Sequence, residues 1–280
     1  MTGAGFIRIT RPVNAVVAGI AAVVAYLVAT GTLVPGALLL LVIVCLITAA
    51  GNVMNDYFDA GIDAVNRPER PIPSGQVSLR AAWWYAVLLF LAGIAASLFT
   101  TPLCSAFAIV NSLLLVCYAG RLKGIPLAGN VAVAYLTGSM FLFGGAFAGY
   151  AGFVHLIPLA IISFLATMAR ELLKDAEDVE GDAAGGASTL PIRIGVRKTA
   201  YCAFAFTLLS AAASIVPVWR WGVPYLVMIG IVDLVLMAAA YKTLSCETPA
   251  CIRKSGASSL LKYGMFASLV VFTVSALFLS

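Results

Sequence analysis

Long apolar runs, separated by short clusters of glycine, proline and charge, take up most of the chain. A membrane span needs about 20 predominantly apolar residues to cross roughly 30 Å of hydrocarbon. By that measure there are nine candidates, at 13–31, 36–57, 81–100, 102–119, 129–151, 154–174, 199–217, 222–244 and 260–279. Their apolar residues continue on every face instead of alternating, which argues against membrane strands. Lipid offers backbone groups no hydrogen bonds, so runs of this length must be helices. The expectation is an all-α membrane protein of nine transmembrane helices, read as a single domain over residues 1–280.

Composition agrees with that pattern. The chain is 62% hydrophobic and 10% charged, against roughly 25% charged in soluble domains. A water-soluble globule has too few polar residues here to cover its surface, and disorder and coiled coil fail for the same reason. Basic residues then orient the spans. Sixteen of the 17 Lys and Arg fall on the side of the N-terminus and of the loops after the second, fourth, sixth and eighth spans, and only Arg220 falls on the other. That side is expected to be cytoplasmic, in the plasma membrane. The first run is read as a retained helix rather than a signal peptide, because of its length and the spans that follow. No basic run with interleaved aromatics suggests nucleic acid. Cys246 and Cys251 could pair or bind metal, but without CxxC pairs or nearby histidine all six cysteines are read as free thiols.

Acidic residues are scarce and clustered. Of 12 Asp and Glu, four lie between Asp56 and Glu69 and six between Glu171 and Asp182. Asp56, Asp59 and Asp63 map onto Asp175, Asp178 and Asp182 with one offset of 119 residues. At about 100° per residue, positions three and four apart return to one helix face. Asp175, Asp178 and Asp182 are thus expected within a sector of roughly 60°, with Glu171 joining them, while Glu177 and Glu180 point elsewhere. Asn55, Asp59 and Asp63 form a similar row with Asp56 beside it. A carboxylate near lipid costs about 2.5–3.5 kcal/mol, so two such rows make sense with cations between them. All-oxygen ligands suit Mg²⁺, which takes one or two carboxylates and fills its other positions with water and phosphate oxygens. The inference is a Mg²⁺-diphosphate site at the cytoplasmic mouth of a helical bundle.

Cations lie nearby in sequence. Asn66-Arg67-Pro68-Glu69-Arg70-Pro71-Ile72-Pro73-Ser74-Gly75 follows the second span, and its three prolines stiffen the loop. Arg67 and Arg70 are therefore expected to be held for anion binding, for which arginine is well suited. Lys123 lies just past the fourth span. Gly145-Ala-Phe-Ala-Gly149 is a GxxxG pattern read as close helix packing, and His155 is read as a loop residue on the opposite side.

These motifs, with aspartates at the ends of the second and sixth spans, resemble the UbiA superfamily of intramembrane prenyltransferases over nearly the whole chain. Arg170-Glu-Leu-Leu-Lys-Asp-Ala-Glu-Asp-Val-Glu-Gly-Asp182, Thr189-Leu-Pro-Ile and Asn66-Arg-Pro look like the archaeal ether-lipid branch. The resemblance implies helices around a central cavity and transfer of a geranylgeranyl group from its diphosphate to the glycerol 2-hydroxyl of geranylgeranylglyceryl phosphate. It also implies Mg²⁺ ions held by Asp56, Asp59, Asp63, Asp175, Asp178 and Asp182, with Asn55 on the first metal side. Lys123, Arg67 and Arg70 would neutralise the departing pyrophosphate. The family has a Tyr and a Lys after the fourth helix, often four apart; here Tyr118 and Lys123 are five apart. Arg11 and Asn14, at the entry of the first helix, are candidates for the acceptor phosphate. The partners expected are an isoprenyl diphosphate donor, a lipid-like acceptor and membrane lipids, with no obligatory protein partner. Two alternatives stand beside this reading: prenylation of an aromatic acceptor, as in quinone or chlorophyll-type pathways, and a membrane transporter.

Overall fold

The computed structural model describes residues 2–279 and is helical throughout, with no strand among those residues. In chain order the helices are α1 (Gly3–Ile9), α2 (Pro12–Thr30), α3 (Leu38–Asn66), α4 (Leu79–Ser97), α5 (Pro102–Gly120), α6 (Ala128–Phe147) and α7 (Tyr150–Glu177). They continue as α8 (Val179–Ala184), α9 (Leu190–Ile194), α10 (Val196–Ala213), α11 (Val218–Tyr241), α12 (Pro249–Ser255) and α13 (Ala257–Phe278). Eight of the described helical segments are long and apolar enough to cross a membrane. The all-α membrane fold stands, and the expected count of nine is approximate. The run at 199–217 became α10, whose first turn carries Arg197 and Lys198.

Several boundaries moved, each for a local reason. The second span was expected to end at residue 57, but α3 continues through Gly61 to Asn66. One glycine costs a helix only about 1 kcal/mol. The sixth was expected to carry its aspartates on one uninterrupted helix, whereas α7 stops at Glu177 and restarts as α8. Asp178 sits at that break with φ −107° and ψ 16°, and its N–H is shared between the Lys174 and Asp175 carbonyls at 3.0 and 3.3 Å. The fifth span ends at Phe147, and Gly149 (φ +95°) turns the chain straight into α7. His155 therefore lies in α7, exposed, and not in a loop. Cys246 and Cys251, read as free thiols, form a disulfide across the turn before α12, their Cα atoms 5.4 Å apart.

Two compact units divide the chain. One comprises the residues up to Tyr26, Leu33–Leu122 and Phe143–Phe153; the other comprises Leu27–Thr32, Lys123–Leu142 and Val154 onward. The first is built on α3, whose Leu40, Ile43, Ile47, Ala50 and Met54 recur at alternating steps of three and four and are buried. They meet Ala82, Ala86 and Phe90 of α4 and Cys104 and Ala108 of α5 in one cluster. A methyl group on Gly93 would come within 2.7 Å of the Ile47 side chain, so α3 and α4 approach closely there. Gly144 lies against α2, where a Cβ would meet the Ala22 carbonyl and Tyr26 nitrogen at 2.7 Å. Of the GxxxG pair, Gly145 packs on the Gly152 carbonyl, whereas Gly149 serves the turn and not a packing face.

The second unit centres on the end of α7. Ala169, Leu172, Leu173 and Ala176 pack with Val196, Ala200 and Ala203 of α10, Leu236 of α11 and Leu261 of α13. Asp233 of α11, an acid within a span, is buried in a closed local network. The Ser214 hydroxyl donates to it at 2.6 Å, and the Tyr225 hydroxyl donates to the Ser214 carbonyl at 2.8 Å.

Candidate functional site

In the first unit the acidic end of α3 is organised by two arginines. Arg11 lies between α1 and α2 with a left-handed backbone (φ 49°), a conformation uncommon outside glycine. Asn52 pins the same turn by donating to the Thr10 carbonyl at 2.9 Å. The turn directs the Arg11 guanidinium onto the Asp56 carboxylate. Arg70 comes back from the loop after α3 and spans both Asp63, at 2.5 Å, and Asp56, at 3.3 Å. The loop holds its shape by turn hydrogen bonds, with Ser74 N–H and Oγ both donating to the Arg70 carbonyl and Val77 N–H to that of Pro71. Asp56 and Asp63 are 4% and 5% exposed, so the arginines supply the countercharge that burial demands.

This grouping differs from the expected row. Asp63 joins Asp56 through Arg70, while Asn55 donates to Asp59 at 3.0 Å. At about 100° per residue, Asp63 lies roughly 20° from Asp56 and 40° from Asp59, so the helix itself favours this pairing. Arg67 caps α3 with an exposed side chain. Asn14 is exposed in the first turn of α2, its N–H bonded to the Arg11 carbonyl at 2.9 Å. Tyr118 is half-buried near the end of α5.

In the second unit the α7 acids have different company. Asn130, buried in the first turn of α6, donates to Asp175 at 2.8 Å. Glu171 was expected to join the aspartate row. Instead Arg170 and Lys174 neutralise it at 2.6 and 2.9 Å. Asp178 is exposed at the helix break, and Asp182 is half-buried in α8. Burial raises the Asp182 carboxyl above the ordinary carboxylate range, and the neighbouring Asp178 charge adds to this. Lys123 sits in a short 3₁₀ turn, Leu122–Gly124. That turn lies beside the segment after α8, where Ser188 N–H donates to the Gly124 carbonyl at 3.0 Å. Before α8, the end of α7 is tied down by Arg253, which donates to the Glu177 carbonyl at 2.6 Å.

Sequence reasoning passed over Asn130 and Asn52. Their signal was available, since both are amides within apolar runs, where a polar group needs a partner.

A UbiA prenyltransferase family model matches residues 15–270. The chain belongs to the UbiA prenyltransferase family. Like other members of the UbiA family it is an integral membrane protein, and it is a prenyltransferase. It is 62% identical over 275 residues to the digeranylgeranylglyceryl phosphate synthase of Methanoregula boonei, covering 98% of this chain and 99% of that one. Its identity to the corresponding enzyme of Methanoculleus marisnigri is 60% over 278 residues, covering 99% of each. A solved structure reported for digeranylgeranylglyceryl phosphate synthase in membranes superposes with a TM-score of 0.87 at 34% identity, over 98% of both chains. A UbiA homologue from Archaeoglobus fulgidus, bound to GPP and Mg²⁺, shares the fold at a TM-score of 0.62 and 16% identity, covering 96% of this chain and all of that one.

The donor set of this UbiA protein can be tested against Mg²⁺. Among the described residues, no three His, Cys, Asp or Glu side chains converge to hold a metal unaided. Mg²⁺ does not ask for such a cage, because it keeps several waters and binds through one or two carboxylates plus substrate phosphates. The oxygen-only acids at the ends of α3 and α7 fit that requirement.

Proposed function

We propose that the protein transfers a geranylgeranyl group from geranylgeranyl diphosphate to the glycerol 2-hydroxyl of geranylgeranylglyceryl phosphate, forming the second ether bond of an archaeal membrane lipid. The observation that carries this reading is the full-length likeness to digeranylgeranylglyceryl phosphate synthases. It is supported by carboxylates placed at the ends of two membrane-length helices. The protein acts as one prenyltransferase domain in the plasma membrane, with its N-terminus and both acidic helix ends on the cytoplasmic side, as the distribution of basic residues suggests.

In the reaction, the bond between the allylic carbon and the diphosphate oxygen breaks, and its electron pair leaves with pyrophosphate. The glycerol oxygen forms the new carbon–oxygen bond and releases its proton. Mg²⁺, when bound, neutralises the leaving diphosphate as a Lewis acid. Asp56, Asp59 and Asp63 would hold it on α3, with Asn55 orienting Asp59, and Asp175, Asp178 and Asp182 would hold it on α7 and α8. Lys123, Arg67 and Arg70 add fixed positive charge to the departing pyrophosphate, with Tyr118 beside the donor. Arg11 and Asn14 take the phosphate of the acceptor. His155 is not the base, since 20 residues of α7 separate it from Asp175, about 30 Å along the helix. The proton goes to an oxygen base, either pyrophosphate or a motif aspartate. Apolar surroundings keep water from capturing the allylic cation first.

The test is turnover of labelled geranylgeranyl diphosphate by purified protein, with Mg²⁺ or excess EDTA. Geranylgeranylglyceryl phosphate and 4-hydroxybenzoate are offered separately. Mg²⁺-dependent product with the glycerol phosphate alone is expected. Product with the aromatic acid alone would overturn the substrate, and label taken up into vesicles without product would favour a transporter.

A further inference from the structure

The two acidic helix ends are neutralised differently. On α3, the buried Asp56 and Asp63 face the two guanidinium groups of Arg11 and Arg70, so these four charges cancel. On α7, Asp175 accepts from the neutral amide of Asn130; the Lys174 charge acts on it favourably, and the Glu171 and Asp182 charges act against it. The nearby cations Arg170 and Lys174 are both engaged with Glu171. Among the described residues, none of Asp175, Asp178 and Asp182 makes an ion pair. A cation approaching the end of α7 and α8 therefore meets carboxylates that form no ion pair, and one approaching Asp56 and Asp63 of α3 meets carboxylates already paired with arginine.

Resting on the proposed diphosphate chemistry, we infer that Arg70, backed by Arg11, is a built-in counter-ion that closes Asp56 and Asp63 of α3 to free divalent metal, so that metal reaches this pair only with the diphosphate. The acids of α7 and α8 take metal without it. Free metal would have to push Arg70 off two buried carboxylates. The guanidinium, at the end of a side chain only 17% exposed, would then be left without a partner, which is the costly way to break a buried ion pair. An arriving diphosphate removes that cost. Its oxygens accept the planar guanidinium fork, so Arg70 exchanges one set of anionic oxygens for another as the metal takes Asp56 and Asp63. The same side chain thereby guards the carboxylates in the unloaded protein and grips the leaving group in the loaded one. The consequence is ordered loading, which prevents metal without substrate from settling on Asp56 and Asp63.

The experiment counts bound Mn²⁺ by electron paramagnetic resonance on full-length protein in nanodiscs, with and without inorganic pyrophosphate. Wild-type protein is expected to bind one Mn²⁺ alone, lost in Asp178→Asn, and a second only with pyrophosphate, lost in Asp63→Asn. Arg70→Gln should admit the second ion without pyrophosphate, with an apparent affinity on the order of tenfold tighter than wild type, within the usual range of coupling between two ligands. Arg11→Gln should shift it in the same direction and serves if Arg70→Gln does not fold. Two ions bound equally well by wild type with and without pyrophosphate would overturn the inference. Unchanged Mn²⁺ affinity in both arginine variants would do the same. No Mn²⁺ bound even with pyrophosphate would instead overturn the metal-diphosphate reading on which it rests.

Discussion

Replacing Asp178 with alanine separates chemistry from folding more cleanly than any other change in the acidic clusters. Asp178 is exposed at the break between α7 and α8, and its side chain makes no capping hydrogen bond there. Surface substitutions of this kind usually change stability by no more than about 0.5 kcal/mol, so the variant should insert, purify and unfold like wild type. If its carboxylate holds metal against the diphosphate, its loss removes a fixed contact to charge that develops as the allylic bond breaks. Deleting one such contact costs about 2.7–4 kcal/mol, or roughly 10²–10³ in kcat. Glu180 is the internal control, since it is also exposed and lies two residues further on, in α8. Initial rates of labelled geranylgeranyl transfer at saturating Mg²⁺ should fall in Asp178→Ala and stay near wild type in Glu180→Ala. A near wild-type rate for Asp178→Ala would refute the metal role, and equal inactivation of Glu180→Ala would refute the assignment of separate roles to the two acids.

Three further outcomes follow. Gly144→Ala should lower the melting temperature, because its Cβ would lie 2.6 Å from the Ala25 Cβ and 2.7 Å from backbone atoms of α2; overpacking of this kind costs about 1–3 kcal/mol. An unchanged thermal transition in detergent would contradict the close approach. Asp233→Asn should keep its turnover, since an amide oxygen can accept the Ser214 hydroxyl as the carboxylate does; a folded but inactive variant would place Asp233 in the functional machinery. The raised Asp182 carboxyl must be ionised to bind metal, so pyrophosphate-independent Mn²⁺ affinity should weaken as pH falls through a window above that of an ordinary carboxylate. The stability contribution of Asp182 runs the opposite way and is lost as pH rises through its raised pKa. Titration of Mn²⁺ across pH tests this, and an identical pH profile in Asp182→Asn would exclude Asp182 as the cause.

The membrane helices were legible because their signal is local. An apolar run of sufficient length must become a helix in lipid whatever its neighbours do, and α4 and α5 accordingly lie within a few residues of their expected positions. The acids of α3 and α7 were legible for a related reason, since so few charges elsewhere compete for attention. The break at Asp178 was less visible. Once α7 leaves the apolar region, water can satisfy backbone groups, and helix periodicity no longer constrains the chain.

The sequence by itself therefore determined the all-α membrane class, the family, and the two helix ends at which chemistry is expected. Only the tertiary structure decided which charges meet. Arg11 reaches Asp56 and Asn130 reaches Asp175 across 45 residues each, and Arg170 with Lys174 withdraws Glu171 from the row it shares in sequence. Burial makes each acid require a partner, but which donor arrives depends on turns and helix packing far along the chain, and no helical period encodes that.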